Sequence, residues 1–196
     1  MSKIINAHKK LQFFEILEEM KHIKRATILE GGRRETNAEH SYDLAFMVLL
    51  FGEDFKEELD LEKCYRMALL HDIVEIYAGD TVIFDEKMEA TKKQREKASL
   101  EKIENLLGKD FFKEYKKIIE EYETGETLEA KFVRQIDKLH PIIITTRGGG
   151  ATWREYKMQK HKLIEKKRSQ IDNTFGLRDI LDSYFEKAEK EGMFWE

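Results

Sequence analysis

The chain has 196 residues, 41% of them apolar and 38% charged, with a formal net charge of −4 at pH 7. That length suggests one domain with a sizeable core, and so mild a negative balance gives no reason to expect a nucleic-acid partner. A lone cysteine, Cys64, excludes an internal disulfide and a cysteine-based zinc knuckle, and no apolar run is long enough for a signal peptide or a membrane span, so a soluble cytoplasmic protein is expected.

Proline occurs once, at Pro141, and glycine 11 times, a scarcity of breakers that favours long helices. Periodicity predicts a first helix over 6–22, with Phe13, Phe14, Leu17 and Met20 as its apolar stripe. Residues 25–37, rich in Arg, Gly, Thr and Asn, receive no element. A helix over 38–52 follows His40 into the apolar run 44–51. The next, over 61–76, is apolar on nearly all sides around Leu69, Leu70, Ile73, Val74 and Ile76, as a buried helix is, and Cys64 within it is read as a core residue. A strongly charged helix over 84–107 is expected to be solvated and laced with ion pairs. Helices over 109–124 and 126–146 come next. Arg147-Gly148-Gly149-Gly150 lacks the ending and the preceding strand of a phosphate loop and reads as a helix–helix turn. Helices over 151–171 and 175–191 complete the chain. Lys166-Lys167-Arg168 is expected to be a solvated helix end, and His8, His22 and His161 surface residues. Trp153, Phe194 and Trp195 are available for packing on the domain or on a second subunit.

The strongest chemical signal is His71-Asp72 inside that apolar segment, because burying an unpaired carboxylate is costly unless it is paired or metal-bound. On a regular helix Glu75 would share their face, four residues after His71 and three after Asp72. His40, at the start of an apolar helix, and Asp137, between Ile136 and Leu139, are further candidates. Two imidazoles and two carboxylates suit one divalent cation such as Mn, Fe, Co, Ni or Zn, with Mg a poorer fit. A metal there lowers the pKa of its water and screens phosphate charge. Arg25, Arg33 or Arg34 could clamp phosphate oxygens, and Glu75 or Asp80 could orient water or pass a proton to a leaving oxygen. His140, three positions after Asp137, is expected to be structural.

The order His40, His71-Asp72, Asp137 resembles the signature of the HD-domain metal-dependent phosphohydrolases. Arg34-Glu35-Thr36-Asn37-Ala38-Glu39-His40-Ser41 resembles the first-histidine motif of the HD-domain 5′-deoxynucleotidases. His71 to Asp80 matches that subfamily's HD-x-x-E-x-x-x-G-D segment, and Gln135-Ile136-Asp137-Lys138 looks like its last metal-ligand helix. The likeness covers roughly residues 10–140 and is vague beyond 150. It implies an all-α, compact HD-domain helical bundle with a central metal site, one domain over 1–196, with helices 151–191 packed on a core that carries the motifs. It further implies His40, His71, Asp72 and Asp137 as metal ligands, Glu75 and Asp80 in catalytic or substrate-contact roles, and Arg25 on the phosphate. In a bacterial member a tryptophan after this arginine shapes the sugar site, whereas Ala26 stands here, which leaves the choice between deoxyribose and ribose open. Members are commonly homodimers, and a nucleotide is the expected small-molecule substrate.

The leading expectation is therefore removal of the 5′-phosphate from (deoxy)nucleoside monophosphates. Triphosphate or phosphodiester hydrolysis at the same site is the alternative within the enzyme class, although the GYP element of the cyclic-dinucleotide subgroup is absent. A di-iron oxygenase on the same scaffold needs histidines between the HD pair and the last aspartate, and none falls between His71 and Asp137. A non-catalytic nucleotide-sensing module is the third possibility, set against retention of all four ligands with Glu75 and Asp80.

Overall fold

The computed structural model describes residues 3–82 and 85–195. Along the chain these form α1 (Lys3–Glu18), β1 (Lys24–Ile28), β2 (Arg34–Thr36), α2 (Asn37–Gly52), α3 (Leu61–Leu70), α4 (Glu75–Ala78), α5 (Glu86–Leu107), α6 (Lys109–Thr124), α7 (Leu128–Arg147), α8 (Ala151–Glu155), α9 (Lys160–Gln170) and α10 (Leu177–Lys190). The predicted start of the charged helix at 84 falls outside the described residues. The architecture is the all-helical one expected, with α7 packed against α2, α3, α6, α9 and α10.

Three local features depart from the sequence expectation. Residues 24–36 form an antiparallel hairpin, with Lys24 opposite Thr36 and Ile28 opposite Arg34. Gly31 and Gly32 supply the reversal at φ +93° and +88°, a region that side chains strongly disfavour. Thr27 and Ile28 are buried where β1 lies against α7 and α8, and the Ile28 N–H donates to Thr152 Oγ1 at 2.9 Å.

The helix expected over 61–76 instead stops at Leu70 and resumes at Glu75. Between them the Ile73 N–H donates to the Leu70 carbonyl at 3.1 Å and the Glu75 N–H to that of Asp72 at 2.9 Å. These three-residue closures are tighter than α-helical ones. Ile73 and Val74 are buried, so all-round apolarity marks a compact buried turn as readily as a straight helix.

The helix expected over 151–171 is likewise split. Lys157 sits at φ +48°, which a continuous helix does not admit, and the buried Met158 N–H closes back on the Trp153 carbonyl at 2.8 Å. The preceding glycine run is a helix–helix turn, as its sequence suggests. At Gly150 a Cβ would lie 2.2 Å from the Met193 carbonyl oxygen, so only glycine fits.

The core is continuous from α1 to α10. Phe13 meets Phe112 edge-on at 5.7 Å, and Phe132 packs between Phe55 and Phe175. Trp153 stacks on Phe194 at 5.0 Å and is 2% exposed, so these two rings pack within the chain, while Trp195 remains partly exposed. Cys64 is buried, and burial pushes its thiol up to about 12, which suits a core residue rather than a nucleophile. His8, His22 and His161 are exposed. The basic run 166–168 is not uniformly solvated: Lys167 is buried, because α9 turns that side chain onto α7. No helix among the described residues is long and apolar enough to cross a membrane.

Candidate metal centre

Four side chains converge where α2, the α3–α4 turn and α7 meet. His40 is the fourth residue of α2, whose start is fixed by a capping box: Thr36 accepts from the Glu39 N–H, and Glu39 accepts from the Thr36 N–H at 2.9 Å. His71 closes α3 and Asp72 opens the turn. Asp137 lies on the face of α7 that looks at both. His40 Nε2 is 3.0 Å from Asp137 Oδ1 and 3.9 Å from Asp72 Oδ2; His71 Nε2 is 3.2 Å from Asp72 Oδ2 and 3.9 Å from Asp137 Oδ1. The tight turn brings adjacent His71 and Asp72 to one point, where a straight helix would set them about 100° apart.

The surrounding contacts leave one nitrogen of each histidine facing that point. His71 Nδ1 lies 3.0 Å from the Ala68 carbonyl, so Nδ1 carries the proton and Nε2 keeps its lone pair. That Nε2 is buried and has no hydrogen-bond partner. His40 Nδ1 faces His140 Nδ1 at 3.0 Å, and His140 Nε2 faces Asp43 Oδ2 at 3.1 Å. With the donor order His140 to Asp43, then His40 to His140, His40 Nε2 would present its lone pair to a cation in the cluster. Asp137 is held in the same way: its Oδ2 accepts from Tyr122 Oη at 2.8 Å and Lys138 Nζ at 2.5 Å, while Oδ1 faces the histidines. An orphaned buried nitrogen among borderline nitrogen and hard oxygen donors fits a divalent cation.

Charge is unevenly distributed. Burial works against ionisation of Asp72 and Asp137, but His71 and Arg25 beside Asp72, and Lys138 and His40 beside Asp137, hold both carboxylates below the ordinary range. Burial and the nearby Arg25 push His40 well down, toward the neutral form that a ligand needs. Burial also pulls on His71, yet Asp72 and Asp137 outweigh it and raise that imidazole. Glu75 moves the other way: burial, with Asp72 and Asp80 repelling it, holds its carboxyl well above the usual value, although Asn37 Nδ2 donates to it at 2.8 Å.

The other expected site residues divide into two groups. Arg25, on β1, is brought to the cluster: its Nη1 donates to Asp72 Oδ2 at 2.5 Å and its Nε lies 3.2 Å from Glu35 Oε2. Asp80 accepts from the Ala26 N–H at 2.9 Å, and Arg95 grips its loop through Ala78 O and Thr81 Oγ1. A polar recess of about 150 Å³ opens on His71, Asp72, Glu75 and Asp137. It shares Arg25, Asp80 and Lys138 with a second cavity of about 310 Å³ that runs along α7 toward α9. Arg33 and Arg34 line neither. Arg33 forks onto Glu39 at the surface, and Arg34 donates to the Ala26 carbonyl and pairs with Glu155.

Sequence reasoning gave Glu35 and Tyr122 no individual role and expected His140 to be structural. Glu35 is fully buried between Arg25 and the two histidines, 3.8 Å from His140 Nδ1 and 4.0 Å from His40 Nδ1. Its place in the segment before His40 was the available signal. Tyr122 falls in the segment Glu121 to Thr124, which also resembles the family, but a tyrosine on an amphipathic helix by itself reads as core.

Residues 17–178 match the family model described as HD domain. The chain is 32% identical to the human protein named 5′-deoxynucleotidase HDDC2 over 154 residues, 78% of this chain and 70% of that one. It is 34% identical to the Dictyostelium discoideum protein of the same name over 176 residues, 85% and 88% of the two chains. A predicted metal-dependent phosphohydrolase from Magnetospirillum magnetotacticum superposes with a TM-score of 0.84 at 31% identity, covering 97% of this chain and 96% of its own.

Proposed function

The chain belongs to the HD-domain family, and from that premise we propose that it is a metal-dependent phosphohydrolase that removes the 5′-phosphate of (deoxy)nucleoside monophosphates. One observation supports this most: His40 Nε2 and His71 Nε2 each lie 3.0–3.9 Å from a carboxylate oxygen of both Asp72 and Asp137, at the mouth of a cavity that also presents Arg25.

His40, His71, Asp72 and Asp137 would hold one divalent cation, Mn, Co, Fe, Ni, Zn or Mg. When bound, such an ion supplies an acidified water and part of the charge neutralisation. Arg25, kept charged by Asp72 and its acidic neighbours against the pull of burial, offers a guanidinium fork to phosphate oxygens. Glu75, whose carboxyl is held above its ordinary value by burial and by Asp72 and Asp80, can pass a proton to the leaving 5′-oxygen or orient the attacking water. Asp80, placed beside Ala26 and lining the same recess, is a second acid available for substrate contact. Arg33 and Arg34 take no part in this scheme.

The finer proposals are a single domain, a cytoplasmic location, no nucleic-acid partner and a homodimer. The dimer surface is proposed not at the C-terminus but on α1–α3, where Phe14, Tyr42, Phe46, Leu49, Leu50 and Leu69 are exposed together. The test is phosphate release from deoxy- and ribonucleoside monophosphates by chelator-stripped protein reloaded with each metal. Release that depends on metal and is lost in Asp72→Ala is expected. No release with any metal despite stoichiometric binding would reject the assignment, and release from triphosphates or diesters alone would redirect it.

A further inference from the structure

Lys167 lies on α9, outside the motif segments, yet its side chain reaches the cavity beside Lys138 and Gln170. It is 6% exposed, and its Nζ donates to the Lys138 backbone carbonyl at 2.9 Å. Among the described residues no carboxylate pairs with it. An ammonium group carries three N–H donors, so two remain beyond that one bond. Burial, reinforced by Lys138, draws the Lys167 ammonium down to about 7.

A structural tie accounts for only part of this. Pro141 lacks an N–H, which strips the Asp137 carbonyl of its helical partner and loosens that turn of α7. Lys167 braces the turn through the neighbouring carbonyl. A neutral donor would brace it equally well, whereas burying a cation without an acid is costly unless a ligand supplies the opposite charge. The grip on residue 138 also fixes where that charge sits, one residue beyond Asp137 in a cavity that Arg25 also lines. Along α7, Asp137, Lys138, Pro141, Ile142 and Thr145 line the cavity, a span of about 12 Å. Lys167 is thus anchored at its metal-centre end, where the phosphate of a nucleotide would lie.

We propose that Lys167 is a substrate-binding residue whose ammonium donates to the phosphate group held at the metal centre, alongside Arg25. This rests on the phosphohydrolase reading for the identity of the anion, but its test does not require turnover. The affinities of inorganic phosphate and of a deoxynucleoside lacking phosphate would be measured by calorimetry on Mn-loaded protein. Wild type would be compared with Lys167→Gln, which keeps a donor for the Lys138 carbonyl and removes the charge, and with Lys167→Arg. Phosphate binding should weaken at least tenfold in Lys167→Gln and largely recover in Lys167→Arg, with Mn affinity and deoxynucleoside affinity unchanged and the thermal midpoint of Lys167→Gln not lowered. Unchanged phosphate affinity in a folded Lys167→Gln would overturn the proposal and leave Lys167 as a brace. Loss of nucleoside rather than phosphate affinity would overturn it in favour of a base contact. If nucleotides are not hydrolysed at all, the phosphohydrolase reading fails while phosphate affinity still decides the role of Lys167.

Discussion

Helix α7 carries two buried surfaces that differ in almost everything except burial. One bears Phe132, Ile136 and Leu139, packed against other apolar side chains of α3, α10 and the Phe55–Phe175 pair. The other bears Asp137, Lys138 and His140, facing α2, the α3–α4 turn and the cavity. The apolar surface stabilises by removing carbon from water. The polar surface holds carboxylates, imidazoles and ammonium groups whose desolvation opposes folding, and its contacts offset that cost only in part. Residues that give nothing to stability at such expense are placed there for chemistry.

Substitutions should separate the two surfaces. Asp137→Ala removes one donor of the cluster and the acceptor of Tyr122 and Lys138. Turnover should fall by about a thousandfold or more, since metal activation supplies several kcal/mol. Metal titration should show weakened binding, while circular dichroism stays helical. Phe132→Ala acts on the opposite surface. It should cost about 3–5 kcal/mol in denaturant unfolding, with metal affinity per folded molecule unchanged; equal loss of metal binding would mean that the surfaces are coupled.

Glu75→Gln sharpens the contrast, because stability and activity should move in opposite directions. Burial, with Asp72 and Asp80 repelling it, raises the Glu75 carboxyl above its ordinary value. An acid raised in this way binds its proton more tightly when folded than when unfolded. The cost to folding is therefore absent below the unfolded pKa of about 4 and complete only above the folded one. In metal-stripped protein, Glu75→Gln should match wild type at acidic pH and unfold at a higher temperature as the pH rises toward neutrality. Turnover of the metal-loaded variant should drop by about 10²–10⁴-fold. A midpoint below wild type at neutral pH would show that the ionised carboxylate is stabilising after all.

Much of the site could be read along the chain, because its members differ chemically from their neighbours. His71 and Asp72 stand out from an apolar stretch, as Asp137 does between Ile136 and Leu139. From the residues alone Arg33 and Arg34 looked as suitable as Arg25 for a phosphate, since nothing local distinguishes three arginines near a glycine pair, and only the family resemblance favoured Arg25. The hairpin separates them: β1 points Arg25 at Asp72, while Arg33 and Arg34 pair with Glu39 and Glu155 instead. The contacts of His140 and Lys167 escaped for the complementary reason. Their partners Asp43 and the Lys138 carbonyl lie 97 and 29 residues away, and no periodicity encodes such distances.

By itself the sequence determined the helical class, the principal helices apart from two interruptions, and the candidate donor set, because periodicity and out-of-place polar residues are local properties of a chain. Tertiary structure alone decided that His71 and Asp72 meet through a tight turn, that Arg33 and Arg34 turn away from them, and that Glu35 and His140 stand behind His40. Each of these depends on segments distant in sequence competing for the same buried space and for the same few hydrogen-bond partners, and that competition is settled only when the whole core packs.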